Sequence, residues 1–169
     1  MSKILYLVRH AKSSWSDASL ADRDRPLNKR GRRSAPDMGK RLAVRGHLPE
    51  LIISSPAKRA FSTAKKIAKE LAFDKSEIIA DESLYFSGTR SMVNLLEGLD
   101  DCYQKVMIVG HNPAMTSLLN VLSDSSVDNM PTCAIAVIGF DMASWSGMSM
   151  TTGTLQDYDF PKKSGRFTE

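Results

Sequence analysis

The hydrophobic positions of this chain fall into two patterns, short unbroken runs and longer stretches in which they recur every three or four residues. Short runs are typical of buried strands, and the recurring spacing is typical of helices with one buried face. The runs predict strands at residues 3–8, 51–53, 77–80, 106–109, 133–140 and 147–155. The spacing predicts helices at residues 29–44, 56–71, 89–99 and 113–122.

The helix at residues 29–44 has clear signals at both ends but a proline inside. Asn28 can cap its first turn, and Gly46 can end it. A proline in a helix interior removes a backbone hydrogen bond, so the helix either begins near Ser34 or kinks at Pro36.

The alternation of strands and helices predicts an α/β fold, a three-layer α/β/α sandwich with a mostly parallel central sheet. In such sheets ligands bind at the carboxyl ends of the strands. A chain of 169 residues, 42% of them hydrophobic, is enough for one core, so we expect a single domain over residues 1–169. The polar segment 156–169 is expected to be a loosely held tail.

Composition and charge exclude several classes of protein. The net charge of +4 favours anionic ligands, but aromatic residues are not interleaved with the basic ones, so no nucleic-acid partner is expected. The longest apolar runs are far shorter than the roughly 20 residues that span a bilayer, so no membrane partner is expected either. The start, Met1-Ser2-Lys3, has no apolar signal segment, and the predicted location is cytoplasmic.

Metal and cofactor sites are also not expected. Cys102 and Cys133 are too few for a disulfide framework, and no His or Cys pair has the spacing of metal ligands. The glycines form neither a Walker loop nor a dinucleotide fingerprint, so no nucleotide cofactor is predicted.

Four residues of catalytic type are predicted at one end of the sheet. Arg9 and His10 follow the first strand, and His111 follows the strand at 106–109. Arg59 lies in the first turn of the second helix. Guanidinium groups suit phosphoryl oxygens, a neutral imidazole can act as a nucleophile, and a protonated one can donate to an oxygen of the transition state.

The segments that contain these residues resemble the motifs of one family. Residues 7–13 (LVRHAKS) resemble the RHG-type signature of the histidine phosphatase superfamily, with Ala11 in place of its glycine. Residues 54–60 (SSPAKRA) resemble the segment with the second arginine, and 110–113 (GHNP) the second histidine motif. Residues 24–31 (DRPLNKRG) are similar to the corresponding segment of the small SixA-type phosphohistidine phosphatases.

This resemblance implies a phosphoglycerate mutase-like fold and a metal-independent phosphoryl transfer in two steps. His10 would attack phosphorus, and water would hydrolyse the resulting phosphohistidine, while Arg9, Arg59 and His111 stabilise the developing charge. Lys12 and Ser13 are further candidates for contacts with the phosphate, and no cofactor is implied.

The proton donor of the reaction is not assigned by the motifs. Many relatives have a carboxylate at a position that corresponds here to Phe86, and the nearest alternatives are Asp81 and Glu82. An alkoxide leaving group needs a proton, whereas imidazole, with a conjugate-acid pKa of about 6.5, leaves readily. This difference favours phosphohistidine as the substrate.

Three hypotheses about function follow from the sequence. The first is a protein phosphohistidine phosphatase, whose partner is a phosphorylated protein. The second is a small-molecule phosphomonoesterase or mutase, which acts on a small phosphate ester. The third is a non-catalytic phosphate-binding domain. Trp15 and Trp145 either line a pocket or pack in the core, and the sequence leaves both roles open.

Overall fold

A six-stranded sheet runs through the computed structural model, which describes residues 2–163. The strands are β1 (Ser2–Arg9), β2 (Leu51–Ser54), β3 (Ile79–Ala80), β4 (Lys105–Gly110), β5 (Ile135–Asp141) and β6 (Thr154–Asp159). Their order across the sheet is β3-β2-β4-β1-β5-β6. The first four of these are mutually parallel, and β5 and β6 add an antiparallel pair at one side. The predicted mostly parallel sheet is therefore confirmed.

Four helices cover the two faces of this sheet. They are α1 (Lys29–Val44), α2 (Lys58–Glu70), α3 (Thr89–Glu97) and α4 (Ala114–Leu122). Side chains alternate between the faces along β1, as they do in any strand. Leu5 and Leu7 pack in the core with α3 and α4, and Tyr6 and Val8 pack in the core with α1 and α2. The three-layer α/β/α prediction is confirmed, since each face of the sheet has its own apolar core.

Helix α1 begins at its predicted cap and continues through its proline. The side chain of Asn28 accepts a hydrogen bond from the backbone of Gly31 at 2.9 Å. Pro36 lies inside the helix, and the hydroxyl of Ser34 donates back to the carbonyl of Arg30 at 2.9 Å. Of the two alternatives, a start near Ser34 is wrong, because the helix begins at Lys29 behind the Asn28 cap.

Helices α2 and α4 begin later than the sequence predicts. Ala57 precedes α2 without a side-chain cap, and the hydroxyl of Ser55 instead accepts from the backbone of Ala57 at 3.2 Å. Pro113 occupies the capping position of α4, again without a side-chain cap. Ser55 and Asn112, which precede the two helices, are part of the site described below.

The last strand lies further along the chain than predicted. Residues 147–150 of the strand predicted at 147–155 belong to a short 3₁₀ helix (Trp145–Met150), and the strand itself is β6 (Thr154–Asp159). The prediction of a loosely held tail from 156 onward is thus wrong for 156–159, while 164–169 lie outside the described residues. Asp159 is buried and pairs with Arg41 of α1 at 3.1 Å. An edge strand needs few apolar residues, so the polar composition of β6 hid it.

No helix within residues 2–163 is long and apolar enough to cross a membrane.

Candidate active site

The carboxyl ends of β1, β2 and β4 meet at one edge of the sheet and surround a cavity of about 310 Å³. The backbone N–H of His10 donates to the carbonyl of Gly110 at 3.0 Å, which ties the segments that follow β1 and β4 together. The residues that line the cavity are Arg9, His10, Lys12, Ser13, Trp15, Asp22, Arg25, Arg59, Phe86, His111, Asn112 and Thr132. All six site residues named from the sequence are among them, although their roles in catalysis stay predictions.

His10 is held in one tautomer by its own backbone neighbour. Its Nδ1 lies 2.7 Å from the carbonyl oxygen of Ala11. A carbonyl oxygen only accepts, so Nδ1 carries the proton and Nε2 keeps its lone pair in the neutral ring. Burial, together with the charges of Arg59 and Arg9, outweighs the opposing effect of the Ala11 hydrogen bond and lowers the pKa of His10 to about 4. The ring is therefore neutral near pH 7.

His111 lies beside His10, with 5.1 Å between the ring centroids. Its Nε2 is 2.8 Å from the hydroxyl of Ser55, which is completely buried and already accepts from the backbone of Ala57. A buried hydroxyl needs an acceptor for its proton, and Nε2 of His111 lies within reach of the Ser55 hydroxyl. We therefore infer that Ser55 donates to Nε2. The proton of neutral His111 then lies on Nδ1.

The Nδ1 atom of His111 is buried and has no hydrogen-bond partner among residues 2–163. Burial lowers the pKa of His111 to about 3, and the nearby charges of His10 and Arg59 act in the same direction. A neutral ring with an unpaired Nδ1–H can donate one hydrogen bond to an oxygen placed beside it.

The two arginines predicted from the motifs are both fixed by hydrogen bonds. Arg9 donates from Nη1 to the carbonyl of Met130 at 2.8 Å, while its buried Nε has no partner among the described residues. Arg59 is only 3% exposed, and donates to the backbone and carboxylate of Asp22 at 2.7 and 3.0 Å. Each guanidinium has five N–H donors, so both keep donors for a phosphoryl group.

Arg25 is a third guanidinium in the cavity, and the sequence analysis did not single it out. It is 7% exposed and contacts three parts of the loop that joins β1 to α1. It donates to the carbonyl of Ser14 at 3.1 Å, to the carboxylate of Asp22 at 3.0 Å and to the hydroxyl of Ser13. Its guanidinium also lies 3.3 Å from the ring centroid of Trp15.

Asp22 is the second residue that the sequence analysis missed. One of its carboxylate oxygens accepts from Arg25, and the other accepts from Arg59 and, at 2.8 Å, from the hydroxyl of Tyr85. Burial raises the pKa of Asp22, but the hydrogen bonds from Tyr85 and Arg59 and the charge of Arg59 outweigh this and bring the pKa to about 2. The only signal in the sequence was a charged segment, 22–25, inside a long loop.

The electrostatics of the cavity favour an anion. Arg9, Lys12, Arg25 and Arg59 contribute four positive charges, and Asp22 is the one carboxylate among the described residues that line it. Both histidines are neutral near pH 7. Since the walls also supply free N–H donors, the cavity suits a phosphoryl group.

The two carboxylates proposed as proton donors lie elsewhere. Asp81 accepts from the backbone of Ser83 at 2.8 Å within a turn, and Glu82 forms an exposed ion pair with Arg23 at 2.7 Å. Neither lines the cavity. The carboxylate that does line the cavity is Asp22, which lies in the loop between β1 and α1.

Phe86, the position at which the motif resemblance led us to look for a carboxylate, forms part of the cavity wall. Its backbone has a φ of +52°, and its side chain is 60% exposed. The ring lies 5.2 Å from the ring of His111 and 4.6 Å from that of Tyr85.

The two tryptophans have different environments. Trp15 is 78% exposed at the rim of the cavity. Trp145 is completely buried, and its indole N–H donates to the carbonyl of Tyr103 at 2.7 Å. Within residues 2–163, no group of three or more His, Cys, Asp or Glu side chains is arranged to hold a metal ion.

Comparison with known proteins gives matches that agree with this geometry. A model of the histidine phosphatase superfamily (branch 1) matches residues 5–85. An uncharacterised chloroplastic protein of Arabidopsis thaliana is 32% identical over 153 residues, which are 86% of this chain and 70% of that protein.

Two solved structures extend the comparison to the fold. A protein of Agrobacterium tumefaciens, provisionally designated phosphohistidine phosphatase SixA, is 28% identical, with a TM-score of 0.80 over 94% of this chain and 98% of that chain. The protein histidine phosphatase SixA in complex with tungstate has the same TM-score of 0.80, at 22% identity, over 94% of this chain and 97% of that chain. The phosphoglycerate mutase-like fold predicted from the sequence is confirmed.

Proposed function

The chain belongs to the histidine phosphatase superfamily, and from this premise we propose that it hydrolyses phosphohistidine in protein substrates through a covalent intermediate on His10. The observation that carries the choice of substrate is the state of the cavity's carboxylate. Asp22 has a pKa of about 2, lowered by hydrogen bonds from Tyr85 and Arg59 against the effect of burial, and so has no proton to donate near pH 7. A leaving group that needs no such donor is therefore favoured.

In the first step, Nε2 of His10 attacks phosphorus in line. A bond forms between this nitrogen and phosphorus, and the bond from phosphorus to the substrate's imidazole nitrogen breaks. The electron pair of the broken bond goes to the substrate's imidazole, which takes a proton from solvent. The hydrogen bond from Nδ1 to Ala11 supports this step because it keeps the lone pair on Nε2 and fixes the ring.

The charge on the transferring phosphoryl oxygens is met by fixed donors. Arg9 and Arg59 supply N–H groups that their contacts with Met130 and Asp22 leave free. The buried Nδ1–H of His111 supplies one more. Loss of one such preorganised donor typically costs on the order of a hundredfold in rate.

In the second step, water attacks the phosphorylated His10. A bond from the water oxygen to phosphorus forms, the bond from Nε2 to phosphorus breaks, and Nε2 regains its lone pair. Inorganic phosphate leaves, and a water proton passes to solvent. Neither step requires a metal ion, so we expect activity to persist in a chelator.

The test of the covalent step is a trapping experiment. Purified protein is mixed with radiolabelled phosphohistidine peptide, quenched and separated, and the adduct is tested for lability to acid and stability to base. Wild type should retain an acid-labile label, and His10→Ala should retain none, with His47→Ala as the matched control outside the cavity. Equal labelling of His10→Ala would exclude His10 as the nucleophile.

The test of the substrate class is a series of leaving groups. Phosphohistidine and nitrophenyl phosphate should be hydrolysed much faster than glycerol or sugar phosphates, because the latter must expel an alkoxide. A flat dependence of kcat/KM on leaving-group pKa, with chemistry rate-limiting, would favour the small-molecule phosphomonoesterase instead. Binding of phosphate without turnover of any substrate would favour the non-catalytic domain.

A further inference from the structure

The cavity of about 310 Å³ that contains His10 and His111 is called the phosphoryl cavity. A second concave surface, which we call the apolar cleft, adjoins it. It has a volume of about 350 Å³ and lies between the segment around Phe86 and the first turn of α4. Its apolar lining comes from Leu84, Phe86, Pro113 and Ala114. Ser117, one turn into α4, stands at its exposed border.

The apolar cleft and the phosphoryl cavity share part of their walls. Phe86, His111 and Asn112 line both. A molecule whose phosphoryl group lies beside His111 can therefore continue over Phe86 into the apolar cleft without leaving the protein surface.

The two sides of the phosphoryl cavity differ in chemistry. On the side of the loop between β1 and α1, the wall consists of Lys12, Asp22 and Arg25 together with the Trp15 ring that Arg25 covers. On the other side, none of the described residues that line the apolar cleft carries a charge, since His111 is neutral near pH 7. The apolar cleft thus offers no charged partner to a second phosphate, while its apolar surface suits a hydrocarbon side chain.

Phe86 has the features of a residue kept in place for binding rather than for packing. A positive φ is costly for a bulky residue, on the order of 1–3 kcal/mol, and such conformations cluster at ligand sites. Its ring is 60% exposed and rests on the rings of His111 and Tyr85. A free phosphate would leave this exposed aromatic surface uncovered.

We propose that the apolar cleft binds a hydrophobic side chain that flanks the phosphohistidine in a polypeptide substrate. This inference rests on the function proposed above and narrows it to phosphoproteins with an apolar neighbour at the modified histidine. Removal of one Leu-sized side chain from water typically improves binding by about tenfold or more, so the apolar cleft should produce a measurable preference.

The experiment compares three substrates on three proteins. The substrates are a phosphohistidine peptide with a flanking Leu, the same peptide with Ser in its place, and phosphoimidazole, which is too small to reach the apolar cleft. The proteins are wild type, Ser117→Trp, which fills the apolar cleft from its exposed border, and Lys69→Trp, an exposed control on α2. The measured quantity is kcat/KM.

Wild type and Lys69→Trp should prefer the Leu peptide over the Ser peptide by about tenfold. Ser117→Trp should lose that preference and still hydrolyse phosphoimidazole at the wild-type rate. If wild type hydrolyses phosphoimidazole but does not distinguish the peptides, or if Ser117→Trp keeps the preference, this inference is wrong while the proposed function stands. If none of the three is hydrolysed while nitrophenyl phosphate is, the proposed function fails and this inference with it.

Discussion

At the scale of single residues, Ser55 connects the backbone before α2 to the ring of His111. Its hydroxyl accepts from the N–H of Ala57 at 3.2 Å and lies 2.8 Å from Nε2 of His111. Residues that hold a functional imidazole in one tautomer commonly affect activity by about 10–100-fold when removed, as is known for metal-bound histidines. We therefore expect Ser55 to affect the reaction through His111 rather than by contact with phosphorus.

We expect Ser55→Ala to lower kcat by about tenfold or more, because the proton of His111 is then no longer confined to Nδ1. The ¹⁵N chemical shifts of the His111 ring, which differ between the two tautomers, report this change directly. Ser55→Thr keeps a hydroxyl and should restore the wild-type shifts wherever it folds. Wild-type shifts in Ser55→Ala would show that another group sets the tautomer.

The two cavity histidines should titrate far below an ordinary histidine. Burial lowers the pKa of His10 to about 4 and that of His111 to about 3. Because these pKa values are low, both rings stay neutral as the pH falls and become protonated only near pH 4 and pH 3. NMR titration of the ring protons of His10 and His111 should show midpoints well below the unperturbed histidine value of about 6.5.

Addition of inorganic phosphate should raise both midpoints, because a bound anion favours the charged form of each ring. Midpoints that do not move with phosphate would mean that the anion binds elsewhere.

The lowered pKa values of His10 and His111 also have a consequence for the stability of the fold. Below about pH 6.5 the unfolded chain binds protons that the folded chain does not, so the free energy of unfolding should fall as pH drops from about 6.5 toward 4.

At the scale of elements, the first turn of α1 lies against the loop that forms one wall of the phosphoryl cavity. A Cβ placed on Gly31 would lie 2.2 Å from the backbone oxygen of Lys12, and the same oxygen accepts from the backbone of Asn28 at 3.0 Å. Lys12 in turn lines the cavity. The glycine is required because helix and loop backbones touch here.

Gly31→Ala should therefore displace the loop at Lys12. We expect a loss of about 1–3 kcal/mol in the free energy of unfolding, the usual cost of overpacking, and a lower kcat/KM, although the residue does not face the cavity. Urea unfolding and steady-state kinetics measure the two effects. Gly98→Ala is the matched control, since its added Cβ would lie 3.6 Å from the nearest atom. Wild-type kinetics in Gly31→Ala would show that the loop adapts without affecting the site.

The elements that the sequence predicted well are those whose signals are local. The unbroken runs around Leu5 and Ile108 identified β1 and β4, and residues after such strands fall at the same edge of a parallel sheet, which brought His10 and His111 together. Arg59 followed from its place in the first turn of α2, and the motif resemblance agreed with it. These signals require no knowledge of how distant segments pack.

What the sequence did not predict depends on contacts between distant segments. Asp22 accepts hydrogen bonds from Arg59, 37 residues away, and from Tyr85, 63 residues away. The sequence of a charged loop does not indicate which distant residues it will contact. The strand β6 was misplaced because its sequence is polar and its burial comes from pairing with β5 and from the contact of Asp159 with Arg41. Local pattern cannot register either effect.

At the scale of the whole molecule, a buried ion pair fastens the last strand to the first helix. Arg41 and Asp159 have side chains 4% and 6% exposed, and the carboxylate of Asp159 also lies 3.0 Å from Arg45. Removal of one partner of a buried pair typically costs about 3–5 kcal/mol, and we expect the low end here because Arg41 keeps an ion pair with Asp37 at 2.9 Å.

Asp159→Ala should therefore lower the free energy of unfolding by about 3 kcal/mol and leave kcat/KM of the folded protein unchanged, because the pair is remote from the cavity. Urea unfolding followed by circular dichroism gives the first quantity. Asp141→Ala, an exposed carboxylate at the end of β5, is the control and should unfold like wild type. A loss of activity in Asp159→Ala at full folding would reveal a coupling between β6 and the site.

The position of β1 in the sheet also bears on how the protein is made. Of the six described strands, β1 comes first along the chain, yet it is inserted between β4 and β5, whose last residue is Asp141. Until the ribosome has translated β4, the apolar residues of β1 lack the parallel strand they pair with, and the other edge of β1 stays open until β5 follows. The nascent chain must therefore carry an unpaired hydrophobic strand for the roughly 100 residues that separate β1 from β4, and such exposed apolar segments are prone to aggregation before they pair.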